Sequence, residues 1–404
     1  MSAPRRVGLL GHTFVNWAGG LDFLRLVGTS LRAADPSLEL HVLLPIDGPW
    51  FNARERLRHA VRGLVRRGTQ PASNTIEAAM ASLGTDINVH RIDLGHRALA
   101  RACQELRLDG LVPALKPLPV NFACPWVGYV YDFQHRHLPQ LFRPRSAKRR
   151  DREFRRMLTE APAVIVNARA VEDDIRRFVP EATSRVFALP FAPMPQPAWF
   201  DLGPAHAGDH PPGRYLIVCN QFWQHKDHGT VLRAFAQLAE THPDVHLVCT
   251  GETQDFRDPD HFPRLMSLAD ELGIRPRLQV AGLVPKPRQI ALLRGATALV
   301  QATLSEGGPG GGAAYDALSL GVPALLSDIA VNREIQDPSA GFFRAGDPGD
   351  LARAMRNALD ETPKPRPSQE TLIARGQARR ADSGRVILAA LEAAAQGRAP
   401  GARS

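Results

Sequence analysis

The sequence predicts an α/β protein of two Rossmann-like parallel domains that face each other across a cleft. Three observations predict this fold class. Short apolar strands alternate with amphipathic helices in each half of the 404-residue chain, which is typical of a parallel sheet covered on both faces. A stretch rich in Pro and Gly interrupts the alternation over residues 190–213. Each half is also long enough for one domain of ordinary size.

The first half begins with an apolar strand at Val7–Leu10 and a glycine-bearing loop. Apolar runs predict four further strands, at Leu38–Leu44, Gly110–Leu115, Trp126–Val130 and Ala163–Val166. Apolar residues at helical spacing predict helices between the strands, at Leu21–Arg32, Phe51–Arg67 and Ala98–Leu106. Strands connected through helices are expected to run parallel.

The second half repeats this pattern more clearly. Five strands are predicted, at Arg214–Cys219, Val245–Thr250, Leu278–Gly282, Ala298–Ala302 and Pro323–Ser327. The predicted helices are Gly229–Glu240, Pro263–Leu272, Lys286–Arg294, Gly312–Leu320 and Asp350–Leu359, with a last helix at Ser368–Ala395. A ligand of such sheets binds at the carboxyl ends of the strands, so we expect the site there.

These patterns divide the chain into domains. We predict an amino-terminal domain over residues 1–195 and a Pro- and Gly-rich linker over 196–213. A second domain follows over 214–362. Residues 363–404 hold a Pro-rich spacer, the last helix and a frayed tail. We expect that helix to pack back towards the amino-terminal domain.

Charge is unevenly distributed between the halves. The chain has 50 Lys and Arg against 41 Asp and Glu, a formal net charge of +9. Residues 1–200 hold 28 basic against 18 acidic residues, and the remainder holds 22 against 23. The halves are therefore expected to meet different partners. An ordinary apolar content excludes a disordered chain.

Other patterns limit the class of protein. The four cysteines form no C-x-x-C pair and no zinc-site spacing. No apolar run reaches the 18 or so residues of a membrane span. We therefore expect a cytoplasmic protein without a metal or other cofactor.

The most informative segment is rich in glycine and is bracketed by the carboxylates Glu306 and Asp316. It follows an apolar strand and leads into a helix, and its glycines are Gly307, Gly308, Gly310, Gly311 and Gly312. Exposed backbone N–H groups at a helix start suit a phosphate group. Because a carboxylate would repel phosphate, the two acidic residues are better suited to sugar and ribose hydroxyl groups.

This segment resembles the E-x7-E motif of family-4 glycosyltransferases, which are retaining enzymes of the GT-B fold. Glu306 fills the first acidic position, and counting back from Gly321-Val322-Pro323 places Asp316 at the second. The spacing is two residues longer than the family pattern, and Asp replaces Glu. The resemblance implies that Glu306 contacts the donor sugar and that Asp316 contacts the ribose. Asn332-Arg333-Glu334 also resembles the family continuation.

A second segment between a strand and a helix carries Asn220, Gln221 and Lys226. Lys226 near a helix start adds a point charge suited to a diphosphate. The resemblance implies that all three residues bind the donor. Family members commonly carry Arg at the position of Gln221, so this chain has one cation where the family often has two.

The resemblance implies that the domain over 214–362 binds the nucleotide-sugar donor and that the domain over 1–195 lies on the acceptor side. In the first half, it assigns donor contact to Gly19 and Gly20. Asp132 and His135 follow the strand at Trp126–Val130. We expect these two side chains to orient or deprotonate an acceptor hydroxyl group, although a lone His is more often structural.

Two basic segments favour an anionic partner for the first half. Arg54, Arg58, Arg62 and Arg66 recur at helical spacing beside an apolar stripe, which is typical of a helix on an anionic membrane surface. A second basic run covers residues 143–156. Neither carries interleaved aromatic residues or a nucleic-acid module, so nucleic acid is not the expected partner.

The expected function is retaining glycosyl transfer, catalysed by Glu306, Lys226, Asp132 and His135. A nucleotide-diphosphate sugar is the expected donor, and a glycan or lipid-linked hydroxyl group the acceptor. The resemblance is closest to bacterial mannosyltransferases of O-antigen and exopolysaccharide assembly, which implies GDP-mannose and a location on the inner face of the membrane. Two alternatives stay open: a nucleotide-sugar 2-epimerase of the same architecture, and a non-catalytic nucleotide-sugar binder.

Overall fold

The computed structural model describes most of the chain. The described residues are 4–11, 14, 18–45, 87–93, 95–119, 121–203, 206, 208, 210–362 and 365–397. The helix predicted at Phe51–Arg67, with Arg54, Arg58, Arg62 and Arg66, lies outside them. The chain divides into two compact units. The first comprises Met1–Tyr131, Pro144–Ala192 and Arg380–Ser404, and the second Asp132–Arg143 and Pro193–Arg379.

The first unit contains a parallel sheet of seven described strands. They are β1 (Arg6–Leu10), β2 (Glu39–Pro45), β3 (Asn88–Ile92), β4 (Gly110–Ala114), β5 (Trp126–Tyr129), β6 (Ala163–Val166) and β7 (Arg185–Ala188). Their spatial order is β3-β2-β1-β4-β5-β6-β7, and each neighbouring pair is parallel. The strand order therefore reverses between β1 and β4.

Helices connect these strands. In chain order they are α1 (Ala18–Ala34), α2 (His96–Glu105), α3 (Gln134–His137), α4 (Pro144–Glu160) and α5 (Arg169–Phe178). The short α3 belongs to the second unit. The basic run at residues 143–156 falls largely on α4, whose buried residues are Phe154, Met157 and Leu158.

The second unit contains a parallel sheet of six described strands. They are β8 (Tyr215–Cys219), β9 (His246–Thr250), β10 (Leu278–Gly282), β11 (Ala298–Gln301), β12 (Ala324–Ser327) and β13 (Ala340–Phe343). Their order is β10-β9-β8-β11-β12-β13, again with parallel neighbours. This is the Rossmann order, with its reversal between β8 and β11.

The helices of the second half begin and end close to the predicted bounds. They are α6 (His228–Ala239), α7 (His261–Glu271), α8 (Lys286–Gly295), α9 (Gly311–Ser319), α10 (Pro348–Asp360) and α11 (Gln369–Gln396). The last helix contributes to both units, since its residues from Arg380 onward belong to the first. No helix within the described ranges is long and apolar enough to cross a membrane.

The structure adds three strands that the sequence analysis omitted, namely β3, β7 and β13. Each lies at the edge of its sheet. No residue of β3 or β7 is fully buried, and only one residue of β13 is. An edge strand is covered on fewer sides, so its sequence lacks the continuous apolar run of a central parallel strand. The central strands, from which the sheets were predicted, are confirmed.

Candidate active site

The predicted donor-binding residues of the second unit gather where the strand order reverses. Asn220 and Lys226 follow β8, and Glu306 follows β11, the strand paired with it. The Leu304 N–H donates to the His225 carbonyl oxygen at 2.8 Å, which joins the two loops. Parallel neighbours end at the same edge of the sheet, and this edge is where open α/β sheets bind ligands.

A buried ion pair lies at the centre of this site. The Lys226 ammonium group pairs with Glu306 Oε1, and the two side chains are only 9% and 13% exposed. The same carboxylate oxygen accepts a hydrogen bond from Gln301 Nε2 at 3.3 Å. Gln301 Oε1 in turn accepts from Asn220 Nδ2 at 2.7 Å. The structure thus connects three predicted residues through Gln301, which the sequence analysis did not single out.

Two glycines of the loop adopt the left-handed backbone conformation, Gly310 with φ +66° and Gly311 with φ +59°. A Cβ on Gly310 would lie 2.2 Å from the Ala314 Cβ, so that position requires glycine. Helix α9 begins at Gly311, and the exposed Gly312 lies in its first turn. The first N–H groups of a helix have no partner within it, so this turn can offer donors to an anion.

The side chain of Asn332 holds the loop in place. It is fully buried, and its Oδ1 accepts a hydrogen bond from the Gly310 N–H at 2.6 Å. Its Nδ2 donates to the Ser327 carbonyl oxygen at 2.9 Å. The Gly311 N–H donates to the Gly308 carbonyl oxygen at 3.3 Å. The amides of Gly310 and Gly311 are thus bonded within the loop, whereas the prediction used the whole glycine run as an anion cradle.

The second acidic residue, Asp316, is paired with a lysine. Its side chain is 10% exposed and forms an ion pair with Lys286, the first residue of α8. The Lys286 ammonium also lies 5.7 Å from the centroid of the Trp199 ring. Lys286 precedes Asp316 by 30 positions, and no motif in the sequence connects them. The pair therefore became visible only in the folded chain.

A cavity of about 110 Å³ opens at the carboxyl ends of β8 and β9. It is lined by Cys219, Asn220, Gln221, Thr250, Gly251, Leu283, Val284 and Gln289. Sites that enclose a whole ligand measure about 300–1,000 Å³, so this cavity has room for one part of a ligand. Leu283 is 70% exposed, which leaves an apolar surface at the cavity for a flat ring.

Two histidines near Lys226 are neutral. Burial lowers the pKa of His225 to about 2, and the charges of Lys226 and Arg257 contribute. Burial likewise lowers the pKa of His228 to about 3, and its ring stacks on Phe222 at a centroid distance of 4.1 Å. Lys226, and not either imidazole, therefore carries the positive charge of this loop.

The other predicted site residues lie elsewhere. Asp132 Oδ1 accepts from the Gln134 N–H at 2.9 Å, and the His135 ring is 2% exposed, with its centroid 6.0 Å from that of Phe133. Gly19 and Gly20 lie in the first turn of α1, in the first unit. Their roles stay predictions. Among the described residues, no three His, Cys, Asp or Glu side chains gather as metal ligands.

Solved structures show which fold class this is. Sucrose-phosphate synthase from Thermosynechococcus elongatus superposes with a TM-score of 0.58 at 16% identity, over 97% of this chain and 96% of that one. HepE from Anabaena, in complex with UDP and glucose, gives 0.56 at 15% identity over 97% of each chain. The fold is GT-B. WaaG, a glycosyltransferase involved in lipopolysaccharide biosynthesis, gives 0.55 at 14% identity, over 98% of this GT-B chain and 100% of that one.

The family comparison concerns the second GT-B domain. Residues 208–379 match the family described as Glycosyl transferases group 1. That range, somewhat less than half of the chain, contains Asn220, Lys226, Glu306 and Asp316. No curated protein matches the sequence. The chain thus carries its site within a segment that matches a glycosyltransferase domain.

Proposed function

We propose that this chain is a retaining glycosyltransferase that moves a sugar from a nucleotide-diphosphate donor to a hydroxyl group of a glycan or lipid-linked acceptor. The observation that carries the proposal is the buried pair of Lys226 and Glu306, which lies at the strand-order reversal beside the glycine loop. A buried lysine and carboxylate at this edge are suited to a ligand with both phosphate and hydroxyl groups.

The chemistry follows from these two side chains. When a donor binds, Lys226 turns from Glu306 to the diphosphate and stabilises the negative charge that develops as the sugar departs. The first-turn amides of α9, around Gly312, add the helix dipole to that stabilisation. Glu306 accepts hydrogen bonds from sugar hydroxyl groups. In this proposal the protein itself compensates the diphosphate charge, and no step uses a metal ion.

The proposal also covers the identity of the donor and the location of the protein at the membrane. The cavity beside Asn220 and Gln221 takes the nucleoside, because Asn220 is connected to Glu306 through Gln301 and the cavity has room for one ring system. The sequence resemblance favours mannose from GDP-mannose, used in surface polysaccharide assembly. HepE was solved with UDP and glucose, so UDP-glucose is the competing donor. The basic first half favours a peripheral position on the inner face of an anionic membrane.

The test combines donor binding with product analysis. The full chain is screened by thermal shift against GDP-mannose, UDP-glucose and the corresponding dTDP- and ADP-sugars, since a ligand of the native state raises its stability. Turnover is then measured with a panel of alkyl glycosides as acceptors, and NMR determines the anomeric configuration of the product. Glu306→Gln and Lys226→Met should each reduce turnover at least a hundredfold. Glu271→Gln, an exposed carboxylate at the end of α7, is the matched control.

Each alternative outcome has a defined meaning. A new epimer formed from donor alone would identify a 2-epimerase. Donor binding without turnover on any acceptor would identify a binding protein. Undiminished turnover in Glu306→Gln would show that the reaction takes place at another site.

A further inference from the structure

Lys286, the partner of Asp316, lies within three positions of residues that line the cavity. Leu283 and Val284 line the cavity and directly precede the first turn of α8, which begins at Lys286. Gln289, three residues later on the same helix, lines it too. Residues three apart lie on the same face of a helix, so the Lys286 side chain starts from the cavity side of α8.

Cys219 also lines the cavity, at the end of β8. Burial raises the pKa of its thiol to about 11, and the charges of Asp316 and Lys286 make smaller contributions. Asn220, the next residue in the chain, donates a hydrogen bond to Gln301, which in turn donates one to Glu306. The cavity lining is thus connected to Glu306 through Asn220 and Gln301, and it includes residues before and after Lys286 in the chain. On the proposed function, a nucleoside diphosphate in this cavity has its ribose near Lys286 and Asp316 and its phosphates near Lys226.

The two charged groups complement a diol. A carboxylate only accepts hydrogen bonds and an ammonium group only donates them, whereas each hydroxyl group does both. The two neighbouring hydroxyl groups of a ribose can therefore donate to Asp316 and accept from Lys286 at the same time. A carboxylate without the neighbouring cation would only accept hydrogen bonds from the two hydroxyl groups, and neither hydroxyl oxygen would receive one.

We propose that Lys286, together with Asp316, recognises the ribose diol and makes the site selective for ribonucleotide over deoxyribonucleotide donors. This inference rests on the proposed function and adds to it. The sequence did not indicate this role for Lys286. Its partner Asp316 is one methylene group shorter than the Glu of the family pattern. The ion pair then also holds the shorter carboxylate towards the ribose.

The experiment measures discrimination rather than affinity alone. Isothermal titration calorimetry compares UDP and GDP with their 2′-deoxy and 3′-deoxy analogues. In the native chain, at least one deoxy analogue should bind ten times or more weakly than its parent, the size expected for a charge-assisted hydrogen bond. In Lys286→Met that ratio should fall to threefold or less. Lys286→Arg keeps a charged donor and should retain most of the ratio.

Two further variants separate recognition from folding. Lys286→Met leaves the carboxylate of Asp316 without this cation, so the double variant with Asp316→Asn provides a version without the isolated charge. Arg275→Met is the control, because Arg275 is exposed and precedes β10, at the opposite edge of the parallel sheet.

The outcomes distinguish this inference from the proposed function. If UDP or GDP binds and the parent-to-deoxy ratio is the same in Lys286→Met as in the native chain, the assignment of Lys286 is wrong and the transferase proposal stands. If no nucleoside diphosphate binds at all, the proposed function fails and this inference fails with it. A ratio that falls equally in Arg275→Met would also overturn the assignment.

Discussion

A double-mutant cycle on Lys226 and Glu306 tests whether this pair serves folding, donor binding or both. The single changes are Lys226→Met and Glu306→Gln, which keep side-chain size while removing one charge each. The double variant removes both charges. The native side chains are 9% and 13% exposed, so either charge left alone would be buried.

The magnitude follows from that burial. Removing one partner of a buried ion pair costs about 3–5 kcal/mol, whereas replacing both partners is often close to neutral. We expect each single change to lower the free energy of unfolding by about 3 kcal/mol. The double variant should lose no more than about 2 kcal/mol, because neither charge is left unpaired. The coupling energy, which is the sum of the two single losses minus the loss in the double variant, is then about 4 kcal/mol or more.

Urea unfolding followed by far-ultraviolet circular dichroism measures these values with and without donor. A donor at 100 times its Kd should raise the stability of the native chain by about 2.7 kcal/mol. The double variant should recover stability but gain almost nothing from donor, since both groups that contact the donor are gone. Glu271→Gln should behave like the native chain in both measurements.

Two results would refute this reasoning. If the losses of the single variants add up in the double variant, the two charges are not coupled in solution. If donor stabilises the double variant as much as the native chain, the donor binds elsewhere and the site is wrongly assigned.

Three further predictions concern the same unit. Burial lowers the pKa values of His225 and His228 to about 2 and about 3. As the pH falls through 6.5, these two side chains therefore take up protons in the unfolded chain but not in the native chain. The free energy of unfolding, measured by urea titration, should fall by roughly 3 kcal/mol from pH 7.5 to pH 5.5. Gly310→Ala should lower the free energy of unfolding by at least about 2 kcal/mol, because an L residue at φ +66° is strained and its Cβ would collide with Ala314. Asn332→Ala should cost about 2–4 kcal/mol in the same assay and weaken donor binding, since it leaves the Gly310 N–H and a buried carbonyl group without their partner.

Each of these three predictions has a control variant or a result that would contradict it. A stability that is flat across this pH range would show that the two imidazoles are not buried as neutral groups. Gly312→Ala, where a Cβ would meet no other atom within 4 Å, should keep the native stability. Asn332→Asp keeps an oxygen that can accept from Gly310 but places a fully buried carboxylate against the Ser327 carbonyl oxygen, so it should be at least as damaging as Asn332→Ala; a clearly smaller loss would contradict the assigned hydrogen bonds.

Local patterns predicted much of the fold. The ten strands named from apolar runs are all present, each within one or two residues of its predicted ends. Strands such as β8 and β11 are buried along their length, so nearly every residue is apolar and the signal is continuous. The strand β3 alternates between exposed and half-buried residues, and its sequence therefore does not stand out from a loop.

Only some residues of the candidate site could be singled out from the sequence. Lys226, Glu306 and the glycine run stood out because each belongs to a short motif between a strand and a helix. Gln301 carries a weaker signal, as a polar residue ending an apolar strand. Lys286 carries no signal of its function, because its partner lies 30 positions away in the chain. Asn332 belongs to the family resemblance, but its hydrogen bond to the Gly310 N–H, across 22 positions, became visible only in the folded chain.

By itself, the sequence determined the periodicity of apolar residues, the positions of the glycines and the places of the charged groups along the chain. Those properties specify two parallel α/β domains, since they depend on neighbours within a few residues. Only the tertiary structure decided which charges meet. The pairing of β8 with β11 brings Lys226 to Glu306 across 80 positions. Such contacts depend on strand order, because parallel strands place the loops at their carboxyl ends side by side whatever their separation in sequence.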